Sequence, residues 1–102
     1  MVMNKTELQK LKVKMVLEML VEEYNAEIED NGDGGRMDVL VDGFTGQFSR
    51  RDMEIGLWDT IALRGDGFSK YEHAKRERAV ELETAINDNI KCLLEQLDAQ
   101  FA

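Results

Sequence analysis

Apolar side chains recur at Ala79, Leu82, Ile86, Ile90, Leu93, Leu97 and Phe101, in steps of 3, 4, 4, 3, 4 and 4. That 11-residue repeat keeps one seam on the same side of a nearly straight α-helix. Ser69, with Glu72 three residues on, supplies a capping-box start, and no Gly or Pro interrupts residues 69–102. The pattern predicts a helix over residues 69–101, on the order of 50 Å long at about 1.5 Å per residue. A compact domain of this size has a radius of gyration of about 13 Å, so such a helix is expected to overhang its own domain. The missing breakers favour that reading over a kink at Asn87-Asp88-Asn89, three poor helix formers in a row. An overhanging seam asks for a partner, and Leu82, Ile86, Ile90, Leu93, Leu97 and Phe101 are the candidate oligomer or partner interface.

A second capping-box pair, Thr6 and Gln9, opens a helix predicted over residues 7–28. Seven of the nine residues from Val13 to Val21 are Val, Met or Leu, so this helix is expected to be central and covered on more than one side. Met15 and Met19 are expected in the core, with a Met-rich binding surface as the sharper alternative. An acidic, glycine-rich turn follows at residues 29–35.

Met37, Val39 and Val41 then alternate with Asp38 and Leu40 up to Asp42-Gly43, and Phe44, Gly46 and Phe48 alternate with Thr45 and Gln47 after it. Asp-Gly favours a two-residue type I′ turn, which pairs Val41 with Phe44, Val39 with Gly46 and Met37 with Phe48 on one face. Ser49, three residues before Asp52, caps a helix predicted over residues 50–63, with Met53, Leu57, Trp58 and Ile61 on its inner side and Gly65 ending it. The expected architecture is a single α+β domain, residues 1–102, in the order αββαα: a central N-terminal helix, a two-stranded antiparallel hairpin, a short helix and a long C-terminal amphipathic helix.

Charge adds direction to this picture. The net charge is −8 and 33% of residues are charged, which disfavours phosphate backbones and anionic membranes and suits a basic partner surface. Both long helices begin basic and end acidic, against the preference of the helix macrodipole. Lys5, Lys10, Lys12 and Lys14 precede Glu18, Glu22, Glu23 and Glu27; Lys70, Lys75, Arg76 and Arg78 precede Glu81, Glu83, Asp88, Glu95 and Asp98. Antiparallel pairing, within the chain or across a twofold axis, would set each basic start against an acidic end.

Candidate chemistry is thin. The only His is His73 and the only Cys is Cys92, which is expected to be a small buried hydrophobe beside the long seam. The acidic turn fails the EF-hand spacing, since starting at Asp30 the third position is Gly32 and the twelfth is Val41. No phosphate loop, dinucleotide fingerprint or zinc spacing occurs. Arg50, Arg51, Asp59, Arg64 and His73 can be assembled into an anion site, but a solvated basic patch is the simpler reading. No apolar run has the length of a membrane span, and the N-terminus lacks a signal-peptide core, so a cytoplasmic protein is expected.

The expectation is a non-enzymatic acidic protein-interaction module that needs no cofactor or metal. It would be a homo-oligomer, a dimer by preference, joined through the long helix. Its carboxylates Glu22, Glu23, Glu27, Glu29, Asp30 and Asp33 would engage a basic protein partner, as an adaptor or as an inhibitor of the phage or mobile-element type that mimics a phosphate row. The alternative is a nucleic-acid-binding regulator with a helix-turn-helix-like unit at residues 50–80, presenting Arg64, Lys70, Lys75, Arg76 and Arg78. A structural component of a larger assembly would share the features of the first reading.

Overall fold

A computed structural model describes residues 3–30, 35–58, 60–64 and 73–101. The order is α1 (Lys5–Tyr24), β1 (Glu27–Asp30), β2 (Arg36–Val41), β3 (Phe44–Ser49), α2 (Arg50–Glu54) and α3 (His73–Phe101). It is an α+β fold: an N-terminal helix, a three-stranded antiparallel sheet in the order β1-β2-β3, a short helix, and a long C-terminal helix packed on the first.

Asn4, rather than Thr6, caps α1. Its side chain accepts the Glu7 N–H at 2.8 Å and its amide donates to the Glu7 carboxylate at 2.9 Å, so the N-cap lies two residues earlier than expected. At the other end the helix stops at Tyr24 instead of running to residue 28. Asn25 takes the left-handed conformation (φ 53°), and the Ala26 N–H reaches back to the Leu20 carbonyl at 3.2 Å, a Schellman-type end. The chain thereby turns early enough for Glu27–Asp30 to add a third strand to the expected hairpin. Ile28 lies opposite Val39 on the core side of that strand, and Glu27 and Glu29 face solvent.

The hairpin register is the one that Asp42-Gly43 predicts. Val41 pairs with Phe44, Val39 with Gly46 and Met37 with Phe48, and Asp42 (φ 52°) and Gly43 (φ 83°) both have the positive φ of a type I′ turn. All six paired residues are buried.

Ser49 caps α2 through the Asp52 N–H as expected, but the helix ends after Glu54 and does not reach residue 63. Gly56, at φ 88°, is its terminator: the Leu57 N–H bonds the Asp52 carbonyl at 2.8 Å across it. Residues 60–64 run as extended chain. Ile61 and Leu63 are buried, whereas Thr60, Ala62 and Arg64 are exposed, an alternation of period two. Arg64 and Thr45 exchange backbone hydrogen bonds of 2.8 and 2.9 Å along the edge of β3.

On its other side this segment is held by side chains of α3. Asn87 accepts the Ile61 N–H at 2.9 Å and donates to the Ile61 carbonyl at 3.1 Å; Glu83 accepts the Leu63 N–H at 2.6 Å. Asn89 donates to the Tyr24 hydroxyl. The run expected to weaken the long helix therefore carries tertiary hydrogen bonds through Asn87 and Asn89, and α3 is continuous through it. Ser69 and Glu72, the expected start of this helix, lie outside the described residues.

The seam of α3 is spent inside the chain. Ala79, Ile86, Ile90 and Leu97 are buried, and Leu82 and Leu93 pack partly on the same core. Even at the far end, the Met3 N–H reaches the Phe101 carbonyl at 3.4 Å. The expected open, overhanging seam is thus replaced by α1 and the extended segment of the same chain. Trp58 is half-buried against the core, and the principal extents are 52 × 28 × 21 Å.

Two substitutions test this packing. A Cβ at Gly46 would stand 2.4 and 2.6 Å from the side chain of buried Ile61, so Gly46→Ala is expected to cost about 1–3 kcal/mol of unfolding free energy in denaturant titration. Asn87→Ala discriminates more sharply. Helix propensity alone predicts a gain of at most about 0.7 kcal/mol. Losing both bonds to Ile61 predicts a net loss of about 1–3 kcal/mol, which the same titration measures.

Candidate interaction surface

The two long helices run antiparallel. Lys12 on α1 meets Asp98 near the end of α3 at 2.6 Å, and Tyr24 meets Asn89. Lys12 is buried but Asp98 is half-exposed, so the pair sets register more than it adds stability. The reversed charge layout is resolved at this end only. With 29 residues against 20, α3 extends past the acidic end of α1, and its basic start meets the hairpin turn, Arg78 to Asp42 at 3.0 Å.

The acidic end of α1 accordingly faces a neutral stretch of α3. Between them lies an open groove of about 410 Å³. From α1 it is lined by Met15, Glu18, Met19, Glu22 and Glu23; from α3 come Asn89, Cys92, Leu93 and Gln96. Met15, Met19 and Leu93 are half-buried and make an apolar floor, while the three glutamates are exposed on either side of the methionines, Glu18 and Glu22 on one and Glu23 on the other. None of these glutamates forms an ion pair among the described residues. No basic side chain lines the groove.

A second hollow of about 370 Å³ lies between Trp58 and Thr60 on one side and α3 on the other, floored by Trp58, Ile90 and Leu94. Exposed Ile55 and Leu57 stand close by in sequence. Its charged lining is mixed, Lys91 with Asp88, Glu95 and Asp98, and Asp98 is already paired with Lys12. It has no net preference comparable to the glutamate rim.

The residues expected to form one acidic surface separate between the groove and β1. Glu22 and Glu23 border the groove; Glu27 and Glu29 stand exposed on β1; Asp30 pairs with Arg50 at 2.6 Å; Asp33 lies outside the described residues. Of the expected seam, only Leu93 lines the groove, Phe101 is half-buried, and Ile86, Ile90 and Leu97 are core. Cys92 is exposed rather than buried, because it sits one residue off the buried seam on the groove side.

The basic residues are also dispersed. Lys75, Arg76 and Arg78 are exposed at the start of α3, and Arg64 is exposed beside β3. Lys70 lies outside the described residues. The helix that a helix-turn-helix unit requires over residues 50–63 is five residues long, followed by extended chain. Arg50 is paired with Asp30 of β1, at the opposite side of the sheet from Arg64, so the two do not share an anion site. Asp59 and the His73 side chain are outside what is described. Among the described residues no group of three or more His, Cys, Asp or Glu is placed to hold a metal ion, and no helix is long and apolar enough to cross a membrane.

Compared with protein-family models, with curated proteins and with solved structures, the chain matches none.

The position of Cys92 has a direct consequence. In the folded protein its thiol is expected to react with a disulfide reagent without addition of denaturant. Reaction only on addition of denaturant would show that the groove wall is closed.

Proposed function

We propose that this protein is a non-enzymatic, acidic protein-interaction module that engages a basic protein surface along α1 and α3. One observation carries the reading: the acidic end of α1 borders an apolar-floored groove and is left without basic partners by the register of the two helices. A carboxylate row of one sign raises the local concentration of a cationic partner and sets its orientation, while apolar contact at the floor supplies affinity. The net charge of −8 acts in the same direction at longer range. As an adaptor or inhibitor, such a module works by occupancy and needs no reacting group.

Titration of the labelled protein with polylysine, followed by amide chemical shifts, tests the reading. The expected changes concentrate at Glu18, Glu22 and Glu23 and across the groove at Asn89 to Gln96, and weaken as salt rises. Changes spread evenly over all carboxylates would contradict it. So would binding of mixed-sequence duplex DNA in place of polylysine.

A further inference from the structure

We infer that the groove between α1 and α3 is a seat for about two turns of a basic amphipathic helix from a partner protein. This inference rests on the interaction-module reading and specifies the partner's chemistry. The groove runs from the level of Met15 to that of Glu23 on α1, about 12 Å of helix, a little more than two turns. Met15 and Met19, one turn apart, and Leu93 opposite them offer apolar contact to side chains spaced i, i+3 or i+4, and i+7 on an incoming helix. Methionine side chains adapt to differing shapes, which suits a floor that receives a partner rather than one that completes a core.

The walls decide the occupant's charge. Glu18 and Glu22, also one turn apart, form an acidic rim on one side of the methionines, Glu23 stands on their other side, and the residues that α3 contributes to the groove are neutral. An incoming helix with Lys or Arg along one flank satisfies that rim and keeps its other flank against Asn89 and Gln96. A second copy of this chain fits poorly. It would bring another net charge of −8 and another row of unpaired glutamates to the contact.

The test uses two synthetic peptides of the same leucine and lysine composition, one patterned as an amphipathic helix and one scrambled. Binding is measured by calorimetry, and alkylation of Cys92, the only thiol in the chain, reports occupancy of the groove. The patterned peptide is expected to bind at least about tenfold more tightly than the scrambled one, and to protect Cys92 in proportion to saturation. Replacing Glu18, Glu22 and Glu23 together by Gln is expected to weaken it by about tenfold or more, whereas the charge-matched change of Glu27, Glu29 and Glu81 leaves it within about twofold. Met15→Gln, at a half-buried groove position, is expected to reduce the preference for the patterned peptide. Equal affinity for the two peptides overturns the inference while leaving the polylysine response intact. Patterned-peptide binding without protection of Cys92 overturns it by placing the helix elsewhere. Concentration-dependent protection of Cys92 with no peptide present overturns it in favour of a second copy.

Discussion

The antiparallel register of α1 against α3 is the constraint on which the other features depend. Lys12 against Asp98 and Tyr24 against Asn89 set the start of α1 at the end of α3 and the end of α1 at the middle of α3. From that placement α3 has enough length left to pass the end of α1 and reach the hairpin turn, where Arg78 meets Asp42. It also brings Glu83 and Asn87 level with Ile61 and Leu63. The extended chain after α2 is therefore bonded to β3 on one side and to helix side chains on the other. Its two apolar residues close the core over Gly46, where no side chain would fit. A shift of one turn along the helix pair would break these contacts together.

Legibility in the sequence followed the range of the interactions. The β2–β3 hairpin is specified by neighbours: Asp42-Gly43 sets the turn, and alternation on either side sets which face is buried. The long helix was equally plain, because its seam repeats over many turns. Where the reading failed, a terminator had been taken for an interior residue. Asn25 and Gly56 both adopt positive φ and end α1 and α2, and each releases a segment that becomes extended. Asn and Gly after an apolar helical run are known stop signals, so β1 was recoverable in principle. The role of Asn87 was not. Its partner is Ile61, 26 residues away, and local propensity assigns Asn87 only a cost.

The surface was legible in pieces. Met15 and Met19, Glu22 and Glu23, and Leu93 each carried a signal, as an apolar helix centre, an acidic run and a seam residue. Nothing in their spacing says that they border one groove, because that depends on which turn of α3 lies beside which turn of α1. Cys92 was misplaced for a related reason. A residue next to an apolar seam falls inside or outside according to the width of the neighbour that covers it, and here α1 leaves it exposed. The same register explains why the reversed charge layout is only half compensated. The basic start of α1 finds the acidic end of α3 through Lys12 and Asp98, while the basic start of α3 finds the hairpin. The acidic end of α1 is left without an ion pair among the described residues.

The register can be measured directly. A nitroxide attached to Cys92, the single thiol, broadens nearby amide signals. The account predicts that broadening is strongest on the facing turns of α1, around Met15 to Glu23, and weak at Lys5 and at the Asp42 turn. Broadening centred on the first turn of α1, or on the hairpin, would contradict the register and with it the groove.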